Sequence, residues 1–395
     1  MSTNPTGIAT ARDSHASSAQ GSPIPKPRIG INLLFMKPGE LTGPGIYAQR
    51  LTDVLLDQGN YDWFLFCHRE LKLPEDWDSK AKICRISIGS SRFLRVLHEQ
   101  MKLPLHCRHE HIDLLFSPGF VSPLWGVRRK IVAIPDMYYE VIPQVLPPMQ
   151  RRYWKMFIPL SVRRCNQIIA ISNSTANDIV KYIPSARGKV TVTHLASAVE
   201  DSQARGDPIA NIEPGYVLYV ANVVANKNPR SVAKAAAMLA KQGRSIPFVH
   251  VGVDHYSLLQ RALTEFHVDS NFRLLGRVSA AQLRWLYRNA LCAILPSIYE
   301  GFGMPALEAQ EYGAPLICSS AGSLAEVAGN GALYFEPLDA ARLAELISNI
   351  DASPQLRQTL IRKGKENCMN FTWERTAQKT LQVFSQSLCP SQPDP

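Results

Sequence analysis

The chain has 395 residues, of which 46% are hydrophobic and 19% are charged, and its formal net charge is +10. This composition excludes a wholly disordered, collagen-like or low-complexity chain, and the length favours two domains over one. Every apolar run is shorter than the roughly 18 residues that a membrane-spanning helix needs, so the sequence predicts no such helix.

The N-terminal segment and the cysteines both bear on localisation. Residues 1–27 are rich in Ser, Thr, Ala, Pro and Gly, which predicts a disordered tail, and they lack the apolar core of a secretory signal. The eight cysteines are scattered without a C-x2-C pair, and several lie inside apolar runs. This usage is typical of a reducing compartment and not of a disulfide framework. The sequence therefore predicts a cytoplasmic protein.

The predicted elements of the first half alternate between apolar runs and helical patterns, as a parallel sheet covered by helices requires. The predicted strands are 29–35, 63–67, 83–88, 112–116, 131–134, 168–171 and 190–193. The predicted helices are 45–58, 92–107, 148–165 and 174–182. These elements define a first domain over residues 28–200.

A polar loop near residues 197–214 is predicted to be the linker, and the alternation then resumes over a second domain, 215–371. Its predicted strands are 216–220, 248–251, 272–275, 291–295, 316–318 and 332–335. Its predicted helices are 229–242, 255–266, 279–289, 305–313, 340–350 and 354–368, followed by a last helix over 373–388. Parallel α/β sheets bind ligands at the carboxyl ends of their strands, so two facing sheets predict a cleft between the domains.

The most informative segment is 300–308, Glu-Gly-Phe-Gly-Met-Pro-Ala-Leu-Glu. It connects a predicted strand to a predicted helix, whose first turn presents unpaired N–H groups to a phosphate. A carboxylate can accept two hydrogen bonds from a sugar diol, so Glu300 and Glu308 on either side of such a turn fit a sugar, a phosphate and a second sugar in a row. The alternative is an ordinary helix with two solvated glutamates. The intervening Gly-x-Gly and proline, with Pro296 and Ser297 before them, favour a nucleotide-sugar site.

At these residues the chain resembles glycosyltransferase family 4, the retaining group 1 glycosyltransferases that include mannosyltransferases. Other matching segments begin at Gly43 (Gly-Pro-Gly-Ile-Tyr), Ile168, Ala221, Leu275 and Gly331, and the resemblance extends over about residues 28–388. It implies the GT-B fold, an α/β architecture of two Rossmann-like domains whose parallel sheets face each other across a cleft. It also implies that a C-terminal helix, residues 372–388, packs back on the N-terminal domain.

The resemblance implies roles in the second domain. Glu308 is expected on the ribose diol and Glu300 on the sugar hydroxyls. The sugar and diphosphate are expected to lie against Lys227 and the loop of Gly301, Phe302, Gly303 and Met304. By position alone, a solvated loop lysine is the favoured interpretation of Lys227. Asn228 and Pro229 after it suit the N-cap and the first residue of the predicted helix. Asn222 stands where many relatives have an arginine and would offer only a neutral hydrogen bond, and the base is expected to meet backbone groups near Val278.

The first domain supplies the remaining candidates. Gly43 and Gly45 are expected near the sugar diphosphate and the acceptor, although a Gly-Pro-Gly sequence also suits a simple turn. Relatives usually have a His-Asp pair where this chain has Pro135 and Asp136. Asp136 is therefore either the catalytic polar group of the first domain or only a cap for the following turn, and both interpretations stay open.

Two segments that could bind metal carry weaker signals. Asp76-Trp-Asp78 lies in a polar loop, and the histidines between 106 and 111 lack a second ligand group at zinc spacing. We therefore expect no metal site and no cofactor, and the donor itself is expected to be a GDP- or UDP-linked sugar.

The positive charge is concentrated in the first domain. Residues 28–200 contain 23 Lys and Arg against 15 Asp and Glu, whereas residues 201–395 contain 18 against 17. Residues 92–103 and 151–157 combine apolar and basic side chains at helical spacing. They are either core-facing helices with a basic outer face or helices that touch an anionic membrane surface. No recognition motif supports a nucleic-acid partner.

The sequence leaves two functional hypotheses. The first is a retaining hexosyltransferase that moves a sugar, with mannose as the favoured candidate, to a membrane-linked glycan or lipid in bacterial polysaccharide or O-antigen synthesis. Such an enzyme would work in the cytoplasm or at the inner face of the cytoplasmic membrane. The alternative is a GT-B subunit that binds without transferring, because the histidine and one cation of the family pattern are absent.

Overall fold

A computed structural model of the chain describes residues 25–39, 42–87, 92–199 and 203–389. Most of the predicted tail, 1–27, lies outside the described residues. The described chain forms two parallel sheets with helices on both faces. The GT-B-type α/β architecture predicted from the sequence is therefore confirmed.

The first sheet has seven strands in the order β3-β2-β1-β4-β5-β6-β7, and every pairing is parallel. Its central strands are apolar on both faces because helices cover both sides. The strands are β1 (Arg28–Asn32), β2 (Asp62–His68), β3 (Lys82–Ile86), β4 (Leu114–Ser117), β5 (Arg129–Ile134), β6 (Gln167–Ala170) and β7 (Val190–Val192). The helices are α1 (Gly43–Leu56), α2 (Trp77–Lys80), α3 (Arg92–His109), α4 (Tyr138–Val141), α5 (Pro148–Arg164) and α6 (Asn173–Tyr182).

The second sheet has six parallel strands in the order β10-β9-β8-β11-β12-β13. The strands are β8 (Tyr216–Val220), β9 (Phe248–Val251), β10 (Phe272–Leu274), β11 (Ala290–Leu295), β12 (Leu316–Ser319) and β13 (Ala332–Phe335). The helices are α7 (Pro229–Lys241), α8 (Leu258–Glu265), α9 (Ala280–Asn289), α10 (Met304–Tyr312), α11 (Leu324–Ala328), α12 (Ala340–Ala352), α13 (Pro354–Cys368) and α14 (Trp373–Leu388).

The last helix, α14, returns to the first domain and completes its core. Phe384 is fully buried there, and its ring lies 5.4 Å from that of Phe116 on β4. Trp373 at the start of the helix donates through Nε1 to the Ser197 carbonyl at 2.9 Å. The same apolar cluster takes in Phe302 and Leu307 from the second domain, so the two domains and α14 share one continuous core at their junction.

Each of the thirteen predicted strands matches a strand of the structure, and the long predicted helices match as well. Three short helices, α2, α4 and α11, were not predicted. Asn228 was expected to cap α7, but it adopts a left-handed conformation and makes no side-chain cap bond. Its side chain instead donates to the carbonyls of Pro296 and Pro337, which ties the start of α7 to the loops after β11 and β13.

Candidate active site

The segment 300–308 lies where the sequence predicted, between the end of β11 and the first turns of α10. Pro305 occupies the first turn of the helix, where its missing N–H costs nothing. Gly303 precedes the helix with φ of 92°, and a Cβ there would lie 2.5 Å from Leu324 Cδ2. The backbone angle therefore favours glycine at this position, and an added Cβ would also displace the Leu324 side chain.

Glu300 has two donors from its own domain. The Lys227 ammonium forms a half-buried ion pair with Oε1, and Ser297 Oγ donates to the same oxygen at 2.7 Å. Lys227 lies in the turn that precedes α7, and the Tyr219 hydroxyl fixes its carbonyl at 2.8 Å. The two side chains that were predicted to hold the sugar and the diphosphate are thus in direct contact.

Glu308 lies one turn into α10 and is partly buried. Its Oε2 accepts a hydrogen bond from the Tyr287 hydroxyl of α9 at 3.2 Å. Burial raises the pKa of Glu308 to about 7, and the bond from Tyr287 opposes this rise. Near neutral pH this carboxyl is therefore divided between its acid and its ionised form, and a ligand that donates two hydrogen bonds would favour the ionised one.

Asp136 follows β5 and meets the second domain at Gly301. A Cβ on Gly301 would lie 2.1 Å from the Pro135 carbonyl oxygen and 2.8 Å from the Asp136 Cβ. Burial raises the pKa of Asp136 to about 7, the backbone N–H of Tyr138 opposes this, and the charges of Glu300 and Lys227 also act on it. The bond from the Tyr138 N–H to Asp136 Oδ1, 3.2 Å long, is the turn cap that the sequence offered as the alternative. Asp136 therefore caps a turn and also lies beside Glu300 and Lys227.

The Gly301 carbonyl is held by the first domain. It accepts from Ser172 Oγ at 2.7 Å and from Thr175 Oγ1 at 3.1 Å, both at the start of α6. Next to it, the Tyr299 hydroxyl donates to Asp178 Oδ2 at 2.8 Å and accepts from the Met137 N–H at 3.2 Å. These bonds fix the strand-to-helix loop of one domain against the strand end of the other.

A second contact between the domains centres on Glu326 of α11. Its carboxylate contacts His194 Nε2 and accepts from the backbone N–H groups of Asn173 at 2.8 Å and Ser174 at 3.2 Å. Burial opposes ionisation here, but these hydrogen bonds hold the pKa of Glu326 below its usual range. A carboxylate at the N-terminus of α6 is also favoured by the helix dipole.

The remaining predicted residues lie at the start of α1, in the core shared by the domains, and on the second domain. Gly43 begins α1, and a Cβ on it would lie 3.7 Å from Met304 Cε, so the start of α1 faces the start of α10. Gly45 is buried in the first turn of α1. Phe302 is buried in the shared core, which makes it a packing residue in this structure.

Asn222 and Val278 lie on the second domain. Asn222 Oδ1 accepts from the Val253 N–H at 3.0 Å, so this side chain fixes the loop after β9. Val278 follows β10. Its side chain is half-buried and packs against the apolar core of the second domain. Both side chains thus make contacts within the second domain.

The residues that join the two domains at the site were not among the predicted ones; they include Ser172, Thr175, Asp178, Tyr299 and Glu326. Ser172 ends the segment from Ile168 that matched the family, so a signal for it existed. Asp178 and Tyr299 are 121 positions apart, and nothing in the sequence pairs them. In the part of the chain that the structure describes, no group of three His, Cys, Asp or Glu side chains could hold a metal ion. None of the helices in that part has the length and apolar content that a bilayer crossing requires.

Each half of the chain matches a known glycosyltransferase family. Residues 202–367 match the family described as Glycosyl transferases group 1, and residues 41–196 match Glycosyltransferase Family 4. O-antigen chain mannosyltransferase B of Escherichia coli is 26% identical over 282 residues, covering 68% of this chain and 73% of that protein. O-antigen chain mannosyltransferase RfbU of Salmonella typhimurium is 29% identical over 207 residues, covering 52% of this chain and 57% of that protein.

Solved structures agree on the fold. A sucrose-phosphate synthase from Thermosynechococcus elongatus superposes with a TM-score of 0.73 at 19% identity, covering 91% of this chain and 99% of that one. WaaG, a glycosyltransferase of lipopolysaccharide biosynthesis, gives 0.69 at 14% identity over 90% and 99%. Anabaena HepE, solved in complex with UDP-glucose, gives 0.69 at 14% identity over 91% and 99%.

Proposed function

We propose that this chain, which belongs to the group 1 glycosyltransferases of family 4, moves a hexose from a nucleoside-diphosphate sugar to a lipid-linked acceptor and retains the anomeric configuration. The observation that carries the proposal is the position of the Lys227–Glu300 pair. It lies beside the N-terminal turn of α10, and Gly301, next to Glu300, meets Pro135 and Asp136 of the other domain. Cation, carboxylates and unpaired backbone N–H groups meet where a sugar diphosphate would bind.

In the proposed complex, the diphosphate lies against Lys227 and the first turn of α10, and the ribose diol donates to Glu308. Breaking the bond from the anomeric carbon to the diphosphate oxygen places negative charge on the leaving group. Lys227 and the dipole of α10 stabilise that charge more in the transition state than in the bound donor. We propose that this positive charge, and no metal ion, assists departure.

Retention follows if the acceptor hydroxyl attacks from the face that the diphosphate leaves. The new bond joins the acceptor oxygen to the anomeric carbon, and the acceptor proton passes to the departing phosphate oxygen. No side-chain nucleophile is then needed. Glu300 would hold hydroxyls of the transferred sugar, and Asp136 would accept from or donate to the same sugar, because its raised pKa makes both protonation states available near neutrality.

The sugar and pathway are proposed from the relatives. Two of them are O-antigen chain mannosyltransferases, which favours GDP-mannose as the donor and an O-antigen or similar polysaccharide intermediate as the acceptor. A UDP-linked hexose is the second candidate, because a structural neighbour was solved with UDP-glucose. A lipid-linked acceptor of this kind would be met at the inner face of the cytoplasmic membrane, where we propose that the protein works from the cytoplasm.

The test is nucleotide release from a panel of GDP-, UDP- and ADP-sugars in the presence of a bacterial membrane extract. One donor is expected to turn over. The Glu300→Gln and Lys227→Ala variants should each lose roughly a hundredfold or more in rate, as removal of a transition-state donor does. The exposed residues Glu345 and Lys379 supply matched controls, because Glu345→Gln and Lys379→Ala make the same chemical changes far from the cleft. Unchanged rates in the site variants would refute the proposal.

A second function, a GT-B subunit that binds but does not transfer, is favoured by one observation. Pro135 occupies the place of the family histidine and supplies neither a side-chain donor nor an N–H group. This alternative predicts that a nucleotide raises the melting temperature while no donor is consumed with any acceptor.

A further inference from the structure

An apolar groove of about 650 Å³ lies on the first domain between the N-terminal halves of α3 and α5. Val96, Leu97 and Met101 form one wall, and Met149 and Phe157 form the other. The floor includes Trp125, whose Nε1 donates to the Gln100 carbonyl at 2.7 Å and is thereby held in place. The groove is distinct from the cleft that contains Glu300.

Four of the exposed large hydrophobic residues of the described chain line this groove. The exposed fractions are 48% for Leu97, 53% for Met101, 39% for Trp125 and 86% for Met149. Single exposed apolar residues are ordinary, but a contiguous group on one side of a domain marks a binding surface. An apolar lining between two helices suits a hydrocarbon chain.

The two helices that form the groove are strongly basic. Together α3 and α5 contain nine Arg and Lys residues and a single acidic residue, Glu99; of the nine, Lys155 is paired with Glu140 of α4 at 2.8 Å. Glu99 is only 3% exposed, and its Oε1 accepts from Asn32 Nδ2 at 2.6 Å, so it does not offset the charge at the surface. Arg152 and Lys102 are exposed on the two helices. An apolar channel between basic helices is complementary to a hydrocarbon chain that carries a phosphate.

The orientation of the helices connects the groove to the cleft. In a parallel sheet, a helix that precedes a strand starts at the carboxyl edge of the sheet. The first halves of α3 and α5 therefore lie at the edge that bears Asp136. The chain also links the two places, because residues 135–149 run from Asp136 through α4 to Met149 in the wall of the groove.

We propose that this groove binds the hydrocarbon chain of the phosphate-linked lipid that carries the acceptor sugar, with the phosphate toward the basic helices and the sugar toward Asp136. The inference deepens the proposed function and rests on it for the identity of the acceptor. It assigns the lipid chain to a definite site on the protein, in addition to any attraction between the basic domain and an anionic bilayer.

The test measures binding of isoprenyl phosphates with one, two and three isoprene units to the full chain by titration calorimetry, in buffer without detergent or vesicles. Because each buried methylene strengthens binding by a factor of about four, we expect at least a fivefold gain in affinity for each added unit. The Met101→Glu and Leu97→Glu variants should weaken binding of the three-unit phosphate at least tenfold. Leu105→Glu is the matched control, because Leu105 is exposed on the same helix but does not line the groove.

Equal affinities for the three isoprenyl phosphates, or unchanged affinity in Met101→Glu, would overturn the proposal. A second outcome is salt-sensitive binding to phosphatidylcholine vesicles that contain phosphatidylglycerol, without chain-length dependence in solution. That outcome would overturn the proposal and show that this surface binds anionic membranes only through its charge. A concentration-dependent dimer that Met101→Glu disrupts, again without chain-length dependence, would assign the groove to a second copy of the chain.

The same variants separate this inference from the proposed function. Met101→Glu should keep the rate of nucleotide release with a water-soluble acceptor sugar, because the cleft is untouched. In the unmodified protein, nucleotide release without chain-length-dependent binding would refute the groove as a lipid site and leave the proposed transfer standing. Chain-length-dependent binding in an unmodified protein that consumes no donor would support the groove and refute the proposed transfer.

Discussion

Glu300 and Lys227 hold each other in place through their ion pair. Ser297 donates to the same carboxylate oxygen, and the Tyr219 hydroxyl fixes the Lys227 backbone. A side chain that is already ordered loses little conformational entropy when a ligand binds, which favours both affinity and correct orientation. The pair therefore acts as a preorganised unit in which each residue restrains the other.

If Glu308 holds the ribose diol as proposed, nucleotide binding depends on pH. Its pKa is raised by burial to about 7, and the ribose diol needs an ionised carboxylate as acceptor. Affinity for the free nucleoside diphosphate should therefore rise between about pH 6 and pH 8 and should be accompanied by proton release. Calorimetry in buffers of different ionisation enthalpy measures both. The Glu308→Gln variant should bind more weakly and lose this proton release, and proton release that persists in it would refute the assignment.

The raised pKa of Glu308 also affects stability. Stability should decrease as pH rises, whereas nucleotide affinity should increase. The protonated carboxyl is favoured in the folded protein, so the free energy of unfolding declines as pH rises from the ordinary pKa of 4.5 toward about 7. Glu308→Gln should accordingly gain melting temperature relative to the unmodified protein as pH rises. Glu345→Gln, at an exposed position, should show no such trend.

At the residue scale, the sequence predicted the position of residues 300–308 because their signal is local. Glu300, Glu308 and the glycines between them lie in one short segment, which forms the predicted strand end, turn and helix start. Their roles in binding a nucleotide-sugar stay predictions. Lys227 was found only through the family resemblance, because a single lysine among 43 basic residues has no local signature. The pairing of Tyr299 with Asp178 depends on how two domains dock, which no spacing along the chain encodes.

Gly301, in the loop that precedes α10, contacts the first domain. An added Cβ would lie 2.1 Å from the Pro135 carbonyl oxygen, a backbone atom that cannot move aside alone. Gly301→Ala should therefore separate the strand ends and lower the rate of nucleotide release by about a hundredfold, as small misplacements at an active site do. Gly59→Ala is the control, because nothing lies within 4 Å of a Cβ there. A fully active Gly301→Ala would show that this contact is dispensable.

Helix α14 is expected to contribute substantially to the stability of the first domain. Phe384 is fully buried against Phe116, so Phe384→Ala should lower the free energy of unfolding by about 3 to 5 kcal/mol. Urea denaturation followed by far-UV circular dichroism measures this. Gln382→Ala, exposed on the same helix, should stay within about 0.5 kcal/mol of the unmodified protein. Equal losses in the two variants would contradict the packing described.

At the element scale, strands were predictable because buried parallel strands are continuous apolar runs bounded by Gly, Pro or polar residues. Each of α2 and α4 has four residues and α11 has five, too few for a helical period to emerge from the sequence. The cap expected at Asn228 failed for a different reason. Its side chain satisfies two carbonyls of neighbouring loops, and that tertiary demand outweighs its local preference.

For the whole molecule, Glu326 is expected to control how tightly the domains close. Its carboxylate is bound by His194 and by the start of α6, all in the other domain. Because hydrogen bonds to charged groups contribute about 1.5 to 3 kcal/mol each, Glu326→Ala should favour an open arrangement. Small-angle scattering should show a larger radius of gyration, and kcat/KM should fall about tenfold or more.

The conservative variant provides the control. Glu326→Gln keeps one acceptor oxygen and should fall between the alanine variant and the unmodified protein in both measurements. An unchanged radius of gyration in Glu326→Ala would show that the contacts of Tyr299 and Gly301 alone keep the domains together.

The placement of α14 in the core of the first domain also affects biosynthesis. The ribosome completes β7 about 180 residues before it begins α14, a delay of about 10 to 40 s at usual bacterial and eukaryotic rates of synthesis. During that interval the nascent first domain lacks Phe384 and exposes the apolar surface that this ring later covers. Any chimaera that exchanges the second domain between relatives must therefore keep residues 373–388 from the parent that provides the first domain.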